Sequence, residues 1–166
     1  MISSPHITIE AMEADQEEFI TRRYKKESKL YIRSMNLLLV LAIIIPLIWL
    51  AFKFLFSTKM VKDELIVNYF LGFGFLLIFF GIIAIFAYFV KLHALAQDYK
   101  HKKRVIEKVN ITQKKFMKMN NSHHFYLDSP TMVSVEVSPE DYNRLQINDE
   151  INIEFAKYSK EFFGYF

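Results

Sequence analysis

The residues best suited to chemistry are few: His123-His124 with Asp128, and His93 with His101. Structural zinc sites close a tetrahedron of His, Cys or carboxylate ligands, and the chain has no cysteine. Adjacent residues on a strand point to opposite faces, so His123 and His124 do not converge on one ion. His93 and His101 stand about 12 Å apart along a helix axis. Glu140-Asp141 follows Ser138-Pro139, the pattern of a helix cap rather than of an acid–base pair. Gly72-Phe73-Gly74 lies inside an apolar run, where a phosphate loop has no place. No GxSxG, Walker, HExxH or dinucleotide motif stands in a proper context. The expectation is therefore no catalytic residue, no metal, no cofactor and no enzyme.

The elements that must carry these residues are dominated by two apolar runs, Leu37–Phe56 and Leu65–Val90. The first is uncharged from Ser34 to Phe52, and the second carries no charge at all. About 20 apolar residues in a helix cross a hydrocarbon core of about 30 Å. A two-helix transmembrane hairpin is expected over residues 35–90, with a short loop at 57–64. Pro46 predicts a kink in the first span. Trp49 suits a membrane interface, and Lys53 can snorkel toward the loop. Neither span has a carboxylate, histidine or arginine, the usual marks of ion pathways.

Charge around the spans sets the expected orientation. Arg22, Arg23, Lys25, Lys26, Lys29 and Arg33 precede the first, and Lys91, Lys100, Lys102, Lys103, Arg104 and Lys108 follow the second. Lys59 and Lys62 in the loop are offset by Asp63 and Glu64. Positive flanks stay on the cytoplasmic side, so both termini are expected there, with the protein integral to the cytoplasmic (inner) membrane. The leader before the first run fits no secretory signal. Residues 1–34 are read as a cytoplasmic segment, irregular near Pro5 and helical from Glu10, with acids first and bases later. The second helix is expected to continue as a stalk over residues 91–103.

Beyond the stalk the period changes to alternation, as in half-buried strands. Residues 104–166 read as a small all-β domain: Val105–Met119, His124–Leu127, Met132–Val137, a helix capped by Ser138 and ending near Leu145, Glu150–Phe155 and Phe162–Phe166. The order β-β-β-α-β-β fits an OB-like barrel, with an SH3-like barrel as competitor. Bases (Lys114, Lys115, Lys118, Lys157, Lys160) and aromatics (Phe125, Tyr126, Tyr142, Tyr158) could form an oligonucleotide groove. The acids Glu136, Glu140, Asp141, Asp149, Glu150 and Glu154 offset those bases, and nucleic acid is not the expected partner.

A helical hairpin followed by an OB-like barrel resembles the NfeD-like bacterial membrane proteins. That resemblance implies a scaffolding role rather than an enzymatic one. The stretch VSPEDYNRLQINDEINIEFAKYSKEFF is also similar to a recurrent barrel ending of small membrane proteins, in which the pair at Asn148-Asp149 is usually Gly-Asp.

Two sets of residues are candidates for contact. Gly74, Gly81 and Ala84 share one face of the second span, where small residues let helices approach. They would pack within the hairpin or form a seam with a neighbour. The tail Phe162, Phe163, Tyr165 and Phe166 holds more aromatics than one strand face can bury, and exposed apolar patches mark contact sites. The functional expectation is a membrane accessory or scaffold subunit, whose partners are lipids and other membrane subunits or its own copies. The alternative is a subunit of an oligomeric channel or transport complex, with the barrels as a cytoplasmic vestibule.

Overall fold

The structure, a computed structural model, describes residues 6–56 and 62–166. The start of the chain around Pro5 and residues 57–61 of the expected loop lie outside the described residues, while Lys62–Glu64 already belong to a helix. Two compact units emerge, residues up to 20 together with 97–166, and residues 21–96.

Helix α1 (Ala14–Phe56) is 43 residues long and runs unbroken through Pro46. Helix α2 (Lys62–Ala87) is followed by a π-helical turn, Tyr88–Leu92, and by α3 (His93–His101). Both long helices are apolar and long enough to cross a membrane. No residue of the most apolar stretch of α2 is buried, and Ala42 and Pro46 are the buried residues of α1 in its apolar part. The two helices meet at Pro46: a Cβ added to Gly72 would lie 3.8 Å from Pro46 Cβ. Gly74 and Gly81, by contrast, have nothing within 4 Å of an added Cβ. Within this chain, Gly72 is the glycine of α2 whose added Cβ would meet α1. The proline that could have broken α1 instead supplies a flat apolar surface for its neighbour.

The β-rich unit begins earlier than the sequence suggests. His6–Ala11 is a strand, β1, not the start of a helix. It pairs antiparallel with Lys103–Lys108 of β2 (Lys103–Met117). Ile7, Thr8 and Ile9 are β-branched and suit a strand, and the available edge of β2 overrides the helix propensity of the residues that follow. Helix α1 then starts behind Glu13, whose N–H is accepted by Gln16 Oε1 at 3.1 Å, one half of a capping box.

β2 is long enough to serve two sets of neighbours. Its first half also pairs with β5 (Glu150–Ala156), and its second half pairs with β3 (Ser122–Leu127). A register shift between Ile111 and Gln113 marks the change, and such bulges bend a strand. β4 (Ser134–Val137) extends β3, and β6 (Phe162–Tyr165) extends β5. The result is a curled antiparallel half-barrel in the order β4-β3-β2-β5-β6, with β1 added on β2. Alternation fills its inner face: Val105, Val109 and Ile111 from β2 meet Phe125, Val135, Ile153 and Phe155. Asn148 adopts φ 73° ahead of β5. Glycine and asparagine tolerate this region best, which suits Asn148 to the turn.

Asp98 of α3 is fully buried. Its carboxylate accepts the N–H of Tyr158 at 2.9 Å and of Ser159 at 2.6 Å, clamping the turn between β5 and β6. Losing a buried acceptor strands its donors, at about 1–3 kcal/mol. Asp98→Ala is expected to destabilise the half-barrel by about that amount, and Asp98→Asn, which keeps one acceptor oxygen, by less. Urea unfolding followed by near-ultraviolet circular dichroism tests the order of the two variants.

Candidate functional site

The helix α4 (Pro139–Arg144) closes one end of the half-barrel, and its cap is built as the sequence implies. Ser138 Oγ accepts from the Asp141 N–H at 3.0 Å and donates to Asp141 Oδ2 at 2.9 Å. Tyr165 of β6 joins this cap, donating its hydroxyl to Asp141 Oδ2 at 2.8 Å and accepting from the Ser138 N–H at 3.2 Å. The Tyr165 hydroxyl, helped by Ser138 and by the nearby Arg144 charge, holds the Asp141 carboxyl below its ordinary value. Tyr165 therefore ties the last strand to the end of β4.

An aromatic cluster lines the same end. The His123 ring lies 4.9 Å from Phe116 and 4.6 Å from Tyr142, and Tyr142 stacks on Phe125 at 5.9 Å. Lys114 Nζ sits 4.7 Å above Tyr142 and donates to the Leu145 carbonyl at 2.7 Å. Phe125 is fully buried, so it offers no stacking platform, and Lys114 is engaged internally. His124, on the opposite face, makes a 2.8 Å contact from Nε2 to Ser122 Oγ. Asp128 accepts two bonds from Asn110. His93 packs near Tyr88 and Phe89, while His101 contacts Gln97 and Tyr158. Among the described residues no three His, Asp or Glu side chains are grouped to hold a metal ion.

The four tail aromatics have separate surroundings. Phe163 packs edge-on against Phe19 at 6.2 Å, and Tyr165 packs against the core. Phe162 is 36% exposed and Phe166 65% exposed. The open part of this patch therefore reduces to Phe162 and Phe166. In the hairpin, the Ala84 carbonyl accepts a 3.1 Å hydrogen bond from the Tyr31 hydroxyl, a polar contact that the small-residue pattern did not indicate.

One residue escaped the sequence reading altogether. Glu107 occupies an inward position of β2 between Val105 and Val109 and is fully buried. It lies opposite Ile7 on one side and Ile153 on the other. Neither carboxylate oxygen has a hydrogen-bond partner among the described residues. The signal was visible as an acid at an inward step of the alternation. Comparison with protein-family models, with curated proteins and with solved structures finds no match, so the resemblance to NfeD-like proteins transfers no residue role.

Two expectations follow from this geometry. A carboxyl with a depressed folded value stabilises the fold above its ordinary pKa, and that contribution is lost as pH falls through the folded value. The melting-temperature gap between the wild type and Tyr165→Phe should therefore narrow on acidification below about pH 4. Replacing a buried, unpaired polar group with an apolar one of similar shape removes a desolvation penalty. Glu107→Met is expected to stabilise the half-barrel by about 1–3 kcal/mol in urea unfolding. A loss of stability would overturn that expectation.

Proposed function

We propose that this chain is a non-enzymatic accessory or scaffold subunit of the bacterial inner membrane, whose half-barrel is OB-like and makes protein–protein contacts in the cytoplasm. The observation that carries the reading is the exposure of both long apolar helices. Helices of this length that cover so little of each other require lipid or further helices around them. Pairing of β1 with β2 supports the orientation: the segments before the first span and after the second then share one side of the bilayer, as the flanking charges require. The strand pairing β2–β3–β4 and β2–β5–β6, with α4 between β4 and β5, supports the OB-like type. The contact surface is assigned to Phe162 and Phe166, and a lateral helix contact to the open faces at Gly74 and Gly81.

The test is the mass of the particle extracted from native membranes in mild detergent. Co-purification of a different chain in fixed ratio is the expected result. A homogeneous ring of four or more identical copies would overturn the accessory reading and favour an oligomeric channel component. Release of the chain by alkaline carbonate would overturn the membrane assignment itself.

A further inference from the structure

The unit containing residues 21–96 holds a cavity of about 360 Å³ between α1 and the end of α2. Its wall includes Glu27, Tyr31, Ser34 and Met35 from α1, and Ala87 and Lys91 from α2 and the π turn. Its place along the chain is informative. α1 passes there from its basic, polar part into the apolar run, and α2 passes from its apolar run to Lys91. On a membrane-spanning reading, this is the headgroup level of the cytoplasmic leaflet.

The cavity is amphipathic, with two charged residues among apolar ones. Glu27 lies about 12 Å outward of Met35 along α1, and Lys91 lies about 6 Å outward of Ala87 along its own helix. Both charges of the lining stand toward the outer end, beside the apolar Leu30 and Leu92, and Met35 and Ala87 stand toward the inner end. The π turn at Tyr88–Leu92 widens the helix where the cavity forms, and π turns of this kind cluster at functional sites. Tyr31 is fixed as a wall by its bond to the Ala84 carbonyl and by its edge contact with Tyr88 at 6.2 Å. Neither Glu27 nor Lys91 has an ion-pair partner among the described residues. One anion and one cation, both uncommitted, rim the same amphipathic groove.

We infer that this groove binds a zwitterionic aminophospholipid, Lys91 meeting the phosphate and Glu27 receiving the primary ammonium of an ethanolamine headgroup. A choline headgroup has no N–H to give to Glu27, and a glycerol headgroup has no positive charge. The inference rests on the membrane reading above. Its acyl chains would follow the apolar inner end of the groove past Met35 and Ala87.

The experiment is native mass spectrometry of the full chain in detergent, titrated separately with short-chain phosphatidylethanolamine, phosphatidylcholine and phosphatidylglycerol. The wild type is expected to bind the ethanolamine lipid about tenfold more tightly than the other two, the effect of one charge-assisted hydrogen bond. Glu27→Gln should abolish that preference, Glu27→Asp should retain most of it, and Lys91→Gln should weaken all three lipids. Equal binding of the three by the wild type, or a preference unchanged in Glu27→Gln, would overturn the inference. Carbonate extraction separates the failures: a chain retained in the membrane without headgroup preference defeats the lipid site alone, and a chain released defeats both readings.

Discussion

The antiparallel pairing of His6–Ala11 with Lys103–Lys108 is the constraint on which the rest depends. It brings together segments separated by both long helices, so whatever path α1 takes must be reversed by α2 and α3. The lengths allow it: 43 residues rise about 64 Å, and Lys62 to His101 rise about 60 Å.

Polar contacts reinforce that closure at the β-rich unit. Arg104 of β2 meets Glu10 at 3.0 Å, Glu13 at 2.6 Å and Glu154 at 3.3 Å, so one guanidinium touches β1, the start of α1 and β5. Its pKa is raised because the hydrogen bonds to Glu13 and Glu10 and the Glu154 charge outweigh the lowering by burial. Gln16 spans the same junction, donating to Glu154 at 2.9 Å while capping α1. Individual surface pairs contribute little, but a shared guanidinium with several acceptors fixes geometry. Asp98 does the same for the turn after β5, and Tyr165 for the end of β6. The β1 junction, the turn after β5 and the end of β6 are thus each fixed by a side chain.

The two units place different demands on their residues. In the half-barrel, one inner face buries aliphatic and aromatic side chains, and Glu107 is the exception that an apolar residue would serve better in stability alone. In the hairpin few of the described side chains are fully buried, and specificity falls on the few points where helices approach or where charge appears near the apolar boundary. Pro46 with Gly72, and the groove bounded by Glu27 and Lys91, are those points.

Much of this was legible from local pattern. Runs of apolar residues, alternation from Val105 onward, the Ser138 cap and the turn at Asn148 all express short-range chemistry, because helix, strand and cap preferences act within a few residues. Three features were not legible. Whether Ile7 to Ile9 form a strand depends on a free edge about 100 residues away. Which glycine of α2 meets α1 depends on the rotation of two helices about their axes, and the π turn shifts every side chain after it. The fate of the tail aromatics depends on Phe19 and on the Ser138 cap. The sequence by itself determined the types of element and the two apolar helices, since these follow from periodicity and hydrophobicity along the chain. Only the tertiary structure decided which edges pair, which small residues touch and which charges border a groove, because those depend on contacts between residues far apart in sequence.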